Sequence, residues 1–116
     1  MIGFILDQNM TADEGVFVDF FGRPACTMSG LAVLAQRTGT PVVPVAFHRD
    51  ATLRHHVFTL FPELPWEAPP GLAPDAVIRH NTQRYTRVIE EMIRAHPEQW
   101  IWMHKRWKTQ PAPTTP

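Results

Sequence analysis

Two polar side chains, Asp7 and Gln8, directly follow the apolar run 2–6 near the start of the chain. At the end of a buried strand, a carboxylate and an amide can hydrogen-bond the polar groups of a sugar or of a phosphate-bearing molecule. The same pair could instead close the strand end with local hydrogen bonds to the following loop. We therefore predict Asp7 and Gln8 as candidate ligand-binding residues, with the local role as the alternative.

The stretch Gly15–Pro24 is rich in phenylalanine and contains two glycines. Its rings Phe17, Phe20 and Phe21 could line a water-free slot for an apolar ligand, because each buried methylene contributes roughly 0.8 kcal/mol. Ordinary core packing is the alternative. Arg23 follows the rings, and its rigid donor fork suits a phosphate or another anionic group. Holding a loop carbonyl or an aspartate would be an equal use of that side chain.

The segment 100–108 mixes tryptophans with cations. Indole rings favour the headgroup level of a membrane and cations favour anionic lipid, so the segment suits contact with a membrane surface. An acidic partner protein would fit the same charges. The alternative is that the rings pack onto the core while the cations are solvated. The candidate contact residues are Trp100, Trp102, Lys105, Arg106, Trp107 and Lys108.

Composition excludes several classes of function. The 116 residues carry 11 basic and 11 acidic side chains, so the overall charge gives no reason to expect nucleic-acid binding. Cys26 is the only cysteine, so no intramolecular disulfide can form, and with no histidine nearby to activate its thiol we expect a packing role. His55 and His56 would point to opposite faces of a strand, so no shared metal ion is expected. No apolar run approaches the roughly 20 residues of a membrane-spanning helix.

These residues must be positioned by strands, helices and loops that the sequence pattern indicates. We predict strands at 3–6, 16–21, 41–47 and 55–61, with Gly22–Pro24 ending the second strand. We predict a helix at 30–38 capped by Thr27 or Ser29, a helix at 75–95 capped by Asp75, and one further turn at 97–100. Residues 9–14 and 62–74 are expected to be loops.

Helices that separate groups of strands favour a layered α/β fold, with a mixed sheet and flanking helices. A chain of 116 residues suffices for one compact domain with a small core. Because the first predicted strand begins at residue 3, we expect either an edge strand or the back part of a longer protein. The Pro- and Thr-rich tail from residue 109 is expected to be disordered.

Four segments, in order along nearly the whole chain, carry a family resemblance. They are Asp7-Gln8 after a strand, the stretch Gly15–Gly22, the proline-containing strand Pro41–Val45 and the ending Pro97–Lys108. With these segments the chain resembles the bacterial lipid A biosynthesis acyltransferases of the lauroyl and myristoyl type, within the lysophospholipid acyltransferase superfamily. The resemblance implies the C-terminal part of a glycerolipid-acyltransferase-like fold, with residues 1–108 in that domain and residues 109–116 as the tail.

The resemblance also implies an activity and its partners. Such enzymes move a fatty acyl group from acyl carrier protein to a hydroxyl of a lipid A precursor, at the cytoplasmic face of the bacterial inner membrane. Acyl carrier protein, a lipid A-type glycolipid and a membrane surface are therefore the expected partners, with no metal or organic cofactor. Asp7 falls where the superfamily has the Glu of its Pro-Glu-Gly motif, which helps to bind the polar acceptor. We thus predict Asp7, Gln8 and Arg23 on the acceptor side and the three phenylalanines along the acyl channel.

One motif of the superfamily is missing from the sequence. In the superfamily a catalytic His, the general base for the acceptor hydroxyl, is followed after four residues by Asp or Glu. None of the six histidines here has an acid at that spacing. In the family the motif lies upstream, so we expect a C-terminal half without the catalytic pair, and whether the chain alone is an enzyme stays open.

Two alternatives to this function remain. One is a non-catalytic membrane-associated or interaction module, and the other is an acyltransferase for another glycolipid, such as a phosphoinositol mannoside. In either case we expect the isolated chain to be poorly soluble, because the upstream half should cover part of its sheet.

Overall fold

The computed structural model describes residues 1–113, and residues 114–116 lie outside the described part. The chain forms two β-hairpins, each followed by a helix, and a final turn of 3-10 helix. The bounds are β1 Gly15–Phe20, β2 Arg23–Met28, α1 Gly30–Thr38, β3 Val45–Arg49, β4 His56–Leu60, α2 Pro74–Ala95 and the 3-10 turn Pro97–Gln99. The hairpins are separate two-stranded antiparallel sheets. Together with the helices they give a mixed α/β arrangement, which confirms the predicted class.

Strand β2 is the element that the sequence prediction missed. Phe21 and Gly22 form a two-residue turn with positive φ angles of 51° and 76°, as a type I′ hairpin requires. Pro24 suggests a strand end in the sequence, yet it stands opposite Asp19 in the hairpin register. Asp19 directs its N–H and C=O to the side chain of Gln83, at 2.7 and 2.9 Å, and away from β2. Pro24 therefore belongs to a pair without ladder hydrogen bonds, where the missing N–H does no harm.

The predicted strand at 3–6 is wrong. Residues 1–6 have no regular secondary structure, because within the described residues no strand edge runs beside them to share backbone hydrogen bonds. Leu6 is nevertheless buried, and it packs with Ala32 of α1 and Tyr85 of α2. Backbone pairing begins at Met10, whose N–H donates to the carbonyl of Cys26 in β2 at 3.1 Å. The apolar run thus supplies a core residue without forming a strand.

Both strands predicted for the middle of the chain are present, but β3 starts at Val45 instead of residue 41. Pro41 and Pro44 lack the N–H that a ladder needs. The chain before β3 therefore pairs only in part: Val42 forms an isolated bridge with Leu64, and the carbonyl of Pro44 accepts the N–H of Phe61 at 2.9 Å. This agrees with the expectation of a strand that is partly unpaired.

The β3–β4 hairpin turns one apolar face to solvent. Alternate residues of both strands are exposed. The cross-strand pairs on this face are Val45 with Leu60 and Phe47 with Phe58. Phe58 and Leu60 are 68% and 71% exposed. We call these four residues the open hairpin face.

Both predicted helices are present, and one predicted cap is wrong. Helix α1 ends at Gly39, whose φ is 67° and whose N–H donates to the carbonyl of Ala35 at 2.9 Å. Helix α2 starts with Pro74 at its first position and Ala73 as N-cap residue. Asp75 therefore lies inside the first turn, where its charge complements the helix dipole. Within residues 1–113, neither helix combines the length and the apolar character that crossing a bilayer requires.

Other boundaries fall close to their predicted positions. Ser29 takes the N-cap position of α1, but its hydroxyl donates to the carbonyl of Glu14 at 3.3 Å and does not cap the helix. The predicted further turn is the 3-10 turn Pro97–Gln99. At the start of the predicted tail, Thr109 donates its N–H to Oδ1 of Asn9 at 3.0 Å. The end of the tail, residues 114–116, lies outside the described residues.

Two glutamine side chains tie the hairpins to the helices. Gln83 of α2 holds both backbone groups of Asp19 in β1, as described above. Gln99 of the 3-10 turn does the same to Arg49 in β3, accepting its N–H at 2.7 Å and donating to its carbonyl at 3.0 Å. In each case one amide takes the place of the peptide group of a neighbouring strand. We call these contacts the glutamine clamps.

Candidate functional site

Five aromatic rings gather where the β1–β2 hairpin meets the residues after α2. We call them the aromatic cluster: Phe20, Phe21, Trp100, Trp102 and Trp107. Phe20 is 1% exposed, and its ring centroid lies 4.7 Å from that of Phe21, 5.6 Å from Trp100 and 5.4 Å from Trp107. The centroid of Trp102 lies 4.4 Å from that of Trp100. Two predicted acyl-channel residues are thus joined by ring contacts to the tryptophans of the C-terminal segment.

Asp7 reaches the edge of the aromatic cluster. Its Oδ2 accepts a hydrogen bond from the indole Nε1 of Trp100 at 3.3 Å, although 93 positions separate the two residues. Asp7 is half-buried, and its other carboxylate oxygen has no hydrogen-bond partner among residues 1–113. Gln8 is exposed next to it. The carboxylate therefore has one oxygen held by the protein and one able to accept a hydrogen bond from a ligand.

Arg106 is the largest fully buried side chain of the described residues, with 1% of its surface exposed. Its Nη1 donates to the carbonyl of Cys26 at 2.9 Å and its Nη2 to the hydroxyl of Thr27 at 2.5 Å. The guanidinium carbon lies 5.1 Å from the ring centroid of Phe20. Burial lowers the pKa of Arg106, and the charge of Asp7 acts in the opposite direction. Arg106 therefore fastens the C-terminal segment to β2.

The predicted membrane or carrier contact divides into an inner and an outer part. Arg106 is buried and cannot take part in a surface contact, which corrects its predicted role. Trp107 is half-buried and donates its Nε1–H to the carbonyl of Phe20 at 3.3 Å, and Trp100 is half-buried against Asp7. Only part of the set is exposed, namely Trp102, Lys105 and Lys108. A contact surface on this segment would have to use these three side chains.

Two arginines lie over rings at the rim of the aromatic cluster. The guanidinium carbon of Arg23 is 5.1 Å from the ring centroid of Trp107, and that of Arg94 is 4.8 Å from Phe21. Arg23 is exposed, so its N–H groups stay accessible to an anion while the ring holds the cation in place. Arg94 was not among the predicted residues, because on the sequence it reads as a solvated helix cation.

Phe17 lies apart from the other two predicted acyl-channel residues. Alternation along β1 turns it to the face opposite Phe20. There it lines a groove of about 490 Å³ between β1 and the start of α2, together with Asp19 and Arg79. The structure thus brings Phe20 and Phe21 together but does not place Phe17 with them.

Phe21 has a backbone conformation that residues other than glycine rarely adopt. Its φ of 51° lies in the left-handed region, which costs an L-residue about 1–2 kcal/mol. Ring contacts with Phe20 at 4.7 Å and Trp102 at 5.9 Å offset this strain. Because Asn or Gly would suit the turn better, a phenylalanine at this position indicates that the ring has a role beyond the turn.

A cavity of about 650 Å³ lies away from Asp7. It is lined by residues around the end of β3 and the end of α2, including Arg49, His96 and Gln99. The ring of His48 stacks on that of His96, with centroids 3.9 Å apart. No sequence pattern predicted this site, because its residues are brought together by the fold, through this ring stack and the glutamine clamp on Arg49.

Cysteine and histidine side chains take structural positions. Cys26 is fully buried, with its Sγ 3.4 Å from the carbonyl of Thr11, and burial raises the pKa of its thiol. A buried neutral thiol is a poor nucleophile, which agrees with the expected packing role. His55 contacts Asp50 at 3.1 Å, and His56 stacks on a ring of β3. No group of three metal-binding side chains gathers within residues 1–113.

The family model and the curated relatives that match this chain all concern lipid A biosynthesis. Residues 1–109 match the family model described as bacterial lipid A biosynthesis acyltransferase. The chain is 26% identical over 113 residues to the lipid A biosynthesis lauroyltransferase of Escherichia coli (strain K12), covering 96% of this chain and 35% of that protein. It is 29% identical over 111 residues to the lipid A biosynthesis palmitoleoyltransferase of the same organism, covering 95% and 34%. It is 24% identical over 106 residues to a lipid A biosynthesis acyltransferase of Haemophilus influenzae, covering 91% and 31%. The chain thus spans about a third of the length of these curated relatives.

Proposed function

Because the chain belongs to the bacterial lipid A biosynthesis acyltransferase family, we propose that it serves the transfer of a fatty acyl group to a hydroxyl of a lipid A precursor. Its own share is the acceptor side of the site. Asp7 accepts a hydrogen bond from a polar group of the acceptor, with Gln8 beside it and Arg23 holding an anionic group. The observation that carries this proposal is the Asp7 carboxylate, held by Trp100 through one oxygen and free at the other.

The reaction joins the acceptor hydroxyl oxygen to the carbonyl carbon of an acyl thioester. A C–O bond forms, the C–S bond breaks, and a general base passes the hydroxyl proton on to the leaving thiolate. The donor in this proposal is acyl carrier protein. Since no histidine of the chain has an acid at the superfamily spacing, the base comes from outside these 116 residues.

In this proposal residues 1–108 form the C-terminal part of an acyltransferase domain and residues 109–116 form a tail. The protein acts at the cytoplasmic face of the bacterial inner membrane. Trp102, Lys105 and Lys108 are exposed together after α2, and they contact anionic lipid or the acidic carrier protein. The half-buried ring of Phe21, at the edge of the aromatic cluster, receives the acyl chain.

The test is the Asp7→Ala variant in a full-length enzyme that carries this chain. A hydrogen bond from the glycolipid to the charged carboxylate of Asp7 contributes about 1.5–3 kcal/mol. Without it, we expect kcat/KM for the glycolipid to fall roughly tenfold or more. Asp19→Ala is the matched control, because it removes an exposed carboxylate on the face of β1 opposite to Phe20 and the aromatic cluster. An Asp7→Ala enzyme with unchanged KM and kcat would refute the role of Asp7. Product analysis with competing glycolipids would identify the acceptor, including a phosphoinositol mannoside.

A second candidate is a non-catalytic membrane-associated module. The observation that favours it is the absence of the His and acid pair from the sequence. This function predicts that the chain binds vesicles of anionic lipid without supporting acyl transfer in any longer protein that contains it. Acyl transfer by the full-length protein would exclude this candidate.

A further inference from the structure

Trp100 and Asp7 lie far apart in sequence and meet at the acceptor side of the proposed site. We propose that Trp100 is a positioning residue for Asp7. By donating its Nε1–H to Oδ2 at 3.3 Å, it fixes the carboxylate so that the other oxygen is available to a hydroxyl of the glycolipid headgroup. This inference rests on the proposed function of Asp7 in acceptor binding.

The orientation of the Trp100 indole is set by its neighbours. The centroid of its ring lies 5.6 Å from Phe20, 4.4 Å from Trp102 and 5.0 Å from His104, with interplanar angles of 73°, 86° and 81°. Such edge-to-face contacts favour one orientation of a ring. Rotation of the indole away from Asp7 would break all three contacts. The donor is therefore held in its direction before any ligand arrives.

Arg106 fixes the segment that carries Trp100. Its guanidinium cannot swing away, because Cys26 and Thr27 accept its hydrogen bonds inside the protein. The C-terminal segment is thus fastened to β2, and it contacts Asp7 through the Trp100 hydrogen bond.

Trp66 supplies a matched control outside the site. Its ring packs on the core around Leu6, Ala32 and Tyr85, and its indole makes no hydrogen bond with Asp7. Trp100→Phe and Trp66→Phe make the same chemical change, removing one indole N–H and keeping an aromatic ring. Only the first change removes a hydrogen bond to Asp7.

The experiment measures binding of a water-soluble glucosamine disaccharide carrying one phosphate to the full chain in a non-ionic detergent. Isothermal titration gives the Kd for the wild type and for D7A, W100F, W66F and the double variant D7A/W100F. We expect D7A and W100F to weaken binding about tenfold each and W66F to change it less than about twofold. The double variant should bind no more weakly than D7A, because Trp100 acts through Asp7.

The outcomes separate this inference from the function on which it rests. Weakened binding by D7A with unchanged binding by W100F overturns the role of Trp100 and leaves the role of Asp7 intact. Independent, additive losses in the double variant also overturn it. Unchanged binding by D7A, or a wild-type chain that does not bind the disaccharide, overturns both.

A measurement on the wild type covers the case that W100F does not fold. The indole ¹H–¹⁵N cross-peaks of Trp100 and Trp66 are followed by NMR as the disaccharide is added. A ligand hydroxyl on the free oxygen of Asp7 should shift the Trp100 cross-peak and leave that of Trp66 in place. A Trp100 cross-peak that stays in place at saturation overturns the inference.

Discussion

Replacing Arg106 tests whether the C-terminal segment is held by the volume of this side chain or by its hydrogen bonds and charge. The side chain is buried, and its two donors bind Cys26 and Thr27. No carboxylate forms an ion pair with it among the described residues. A buried cation without such a partner is expensive to desolvate, so the net contribution of its charge to stability should be small.

The Arg106→Ala variant loses both the volume and the hydrogen bonds. Removing a long buried side chain and leaving a cavity costs about 2–5 kcal/mol. The acceptors are not fully orphaned, because the carbonyl of Cys26 keeps the N–H of Met10 at 3.1 Å and the hydroxyl of Thr27 still donates to the carbonyl of Ala25 at 3.2 Å. We therefore assign only about 1 kcal/mol to the lost hydrogen bonds. The expected destabilisation is about 3–5 kcal/mol in total.

The Arg106→Met variant keeps most of the volume and removes the charge. The same hydrogen bonds are lost, but no cation has to be buried, so the two effects should largely cancel. We expect the free energy of unfolding to fall by no more than about 1–2 kcal/mol. Urea unfolding followed by tryptophan fluorescence measures both variants.

The control for these variants is Arg94→Met, because the side chain of Arg94 is 64% exposed and lies over Phe21. Its loss should change stability by at most about 1 kcal/mol. If Arg106→Met is as unstable as Arg106→Ala, the hydrogen bonds and charge hold the segment, and the reasoning from volume is refuted.

Three further outcomes follow from contacts elsewhere in the fold. Gln83→Ala should lower the free energy of unfolding by about 1 kcal/mol and speed hydrogen exchange of the Asp19 amide. Gln99→Ala should have the same effects at Arg49. Amide hydrogen exchange that is unchanged in both variants would argue against the glutamine clamps. A hydrogen bond with His80, aided by the charge of Arg84, lowers the pKa of Glu67. The ionised Glu67 carboxylate therefore stabilises the fold fully above the ordinary Glu pKa of about 4.3. This stabilisation is lost as the pH falls through the lowered pKa. Fluorescence of the neighbouring Trp66 should show an acid transition that Glu67→Gln removes, and a transition that persists in this variant would contradict the assignment. The open hairpin face should make the isolated chain associate, and Phe58→Lys should reduce association in size-exclusion chromatography without changing the melting temperature; a monomeric, cooperatively melting wild type would refute this.

Local patterns in the sequence were sufficient for much of the fold. The three- and four-residue spacing of apolar side chains located α2, and Gly39 marked the end of α1. Alternation located β4. The β1–β2 hairpin was missed because Phe21 stands where a type I′ turn usually carries Asn or Asp, and because Pro24 suggests a strand end. Whether a proline fits a strand depends on the register, which places Pro24 in a pair without ladder hydrogen bonds.

The candidate site was predictable by residue type but not by geometry. Asp7 stood out as a carboxylate after an apolar run. Its partner Trp100 could not be inferred, since only the folded chain brings these residues together. Arg106 lies between a lysine and a tryptophan in a polar segment, so its burial has no sequence signal.

The backbone edges of the β3–β4 hairpin determine where this sheet can grow. The register places the outward backbone groups of β3 at residues 45, 47 and 49 and those of β4 at residues 56, 58 and 60. Gln99 occupies the groups of Arg49, and the others have no hydrogen-bond partner among residues 1–113. A further strand, from any source, would therefore join this fold along β4 or along the first part of β3, and on either side it would lie beside the apolar side chains of the open hairpin face.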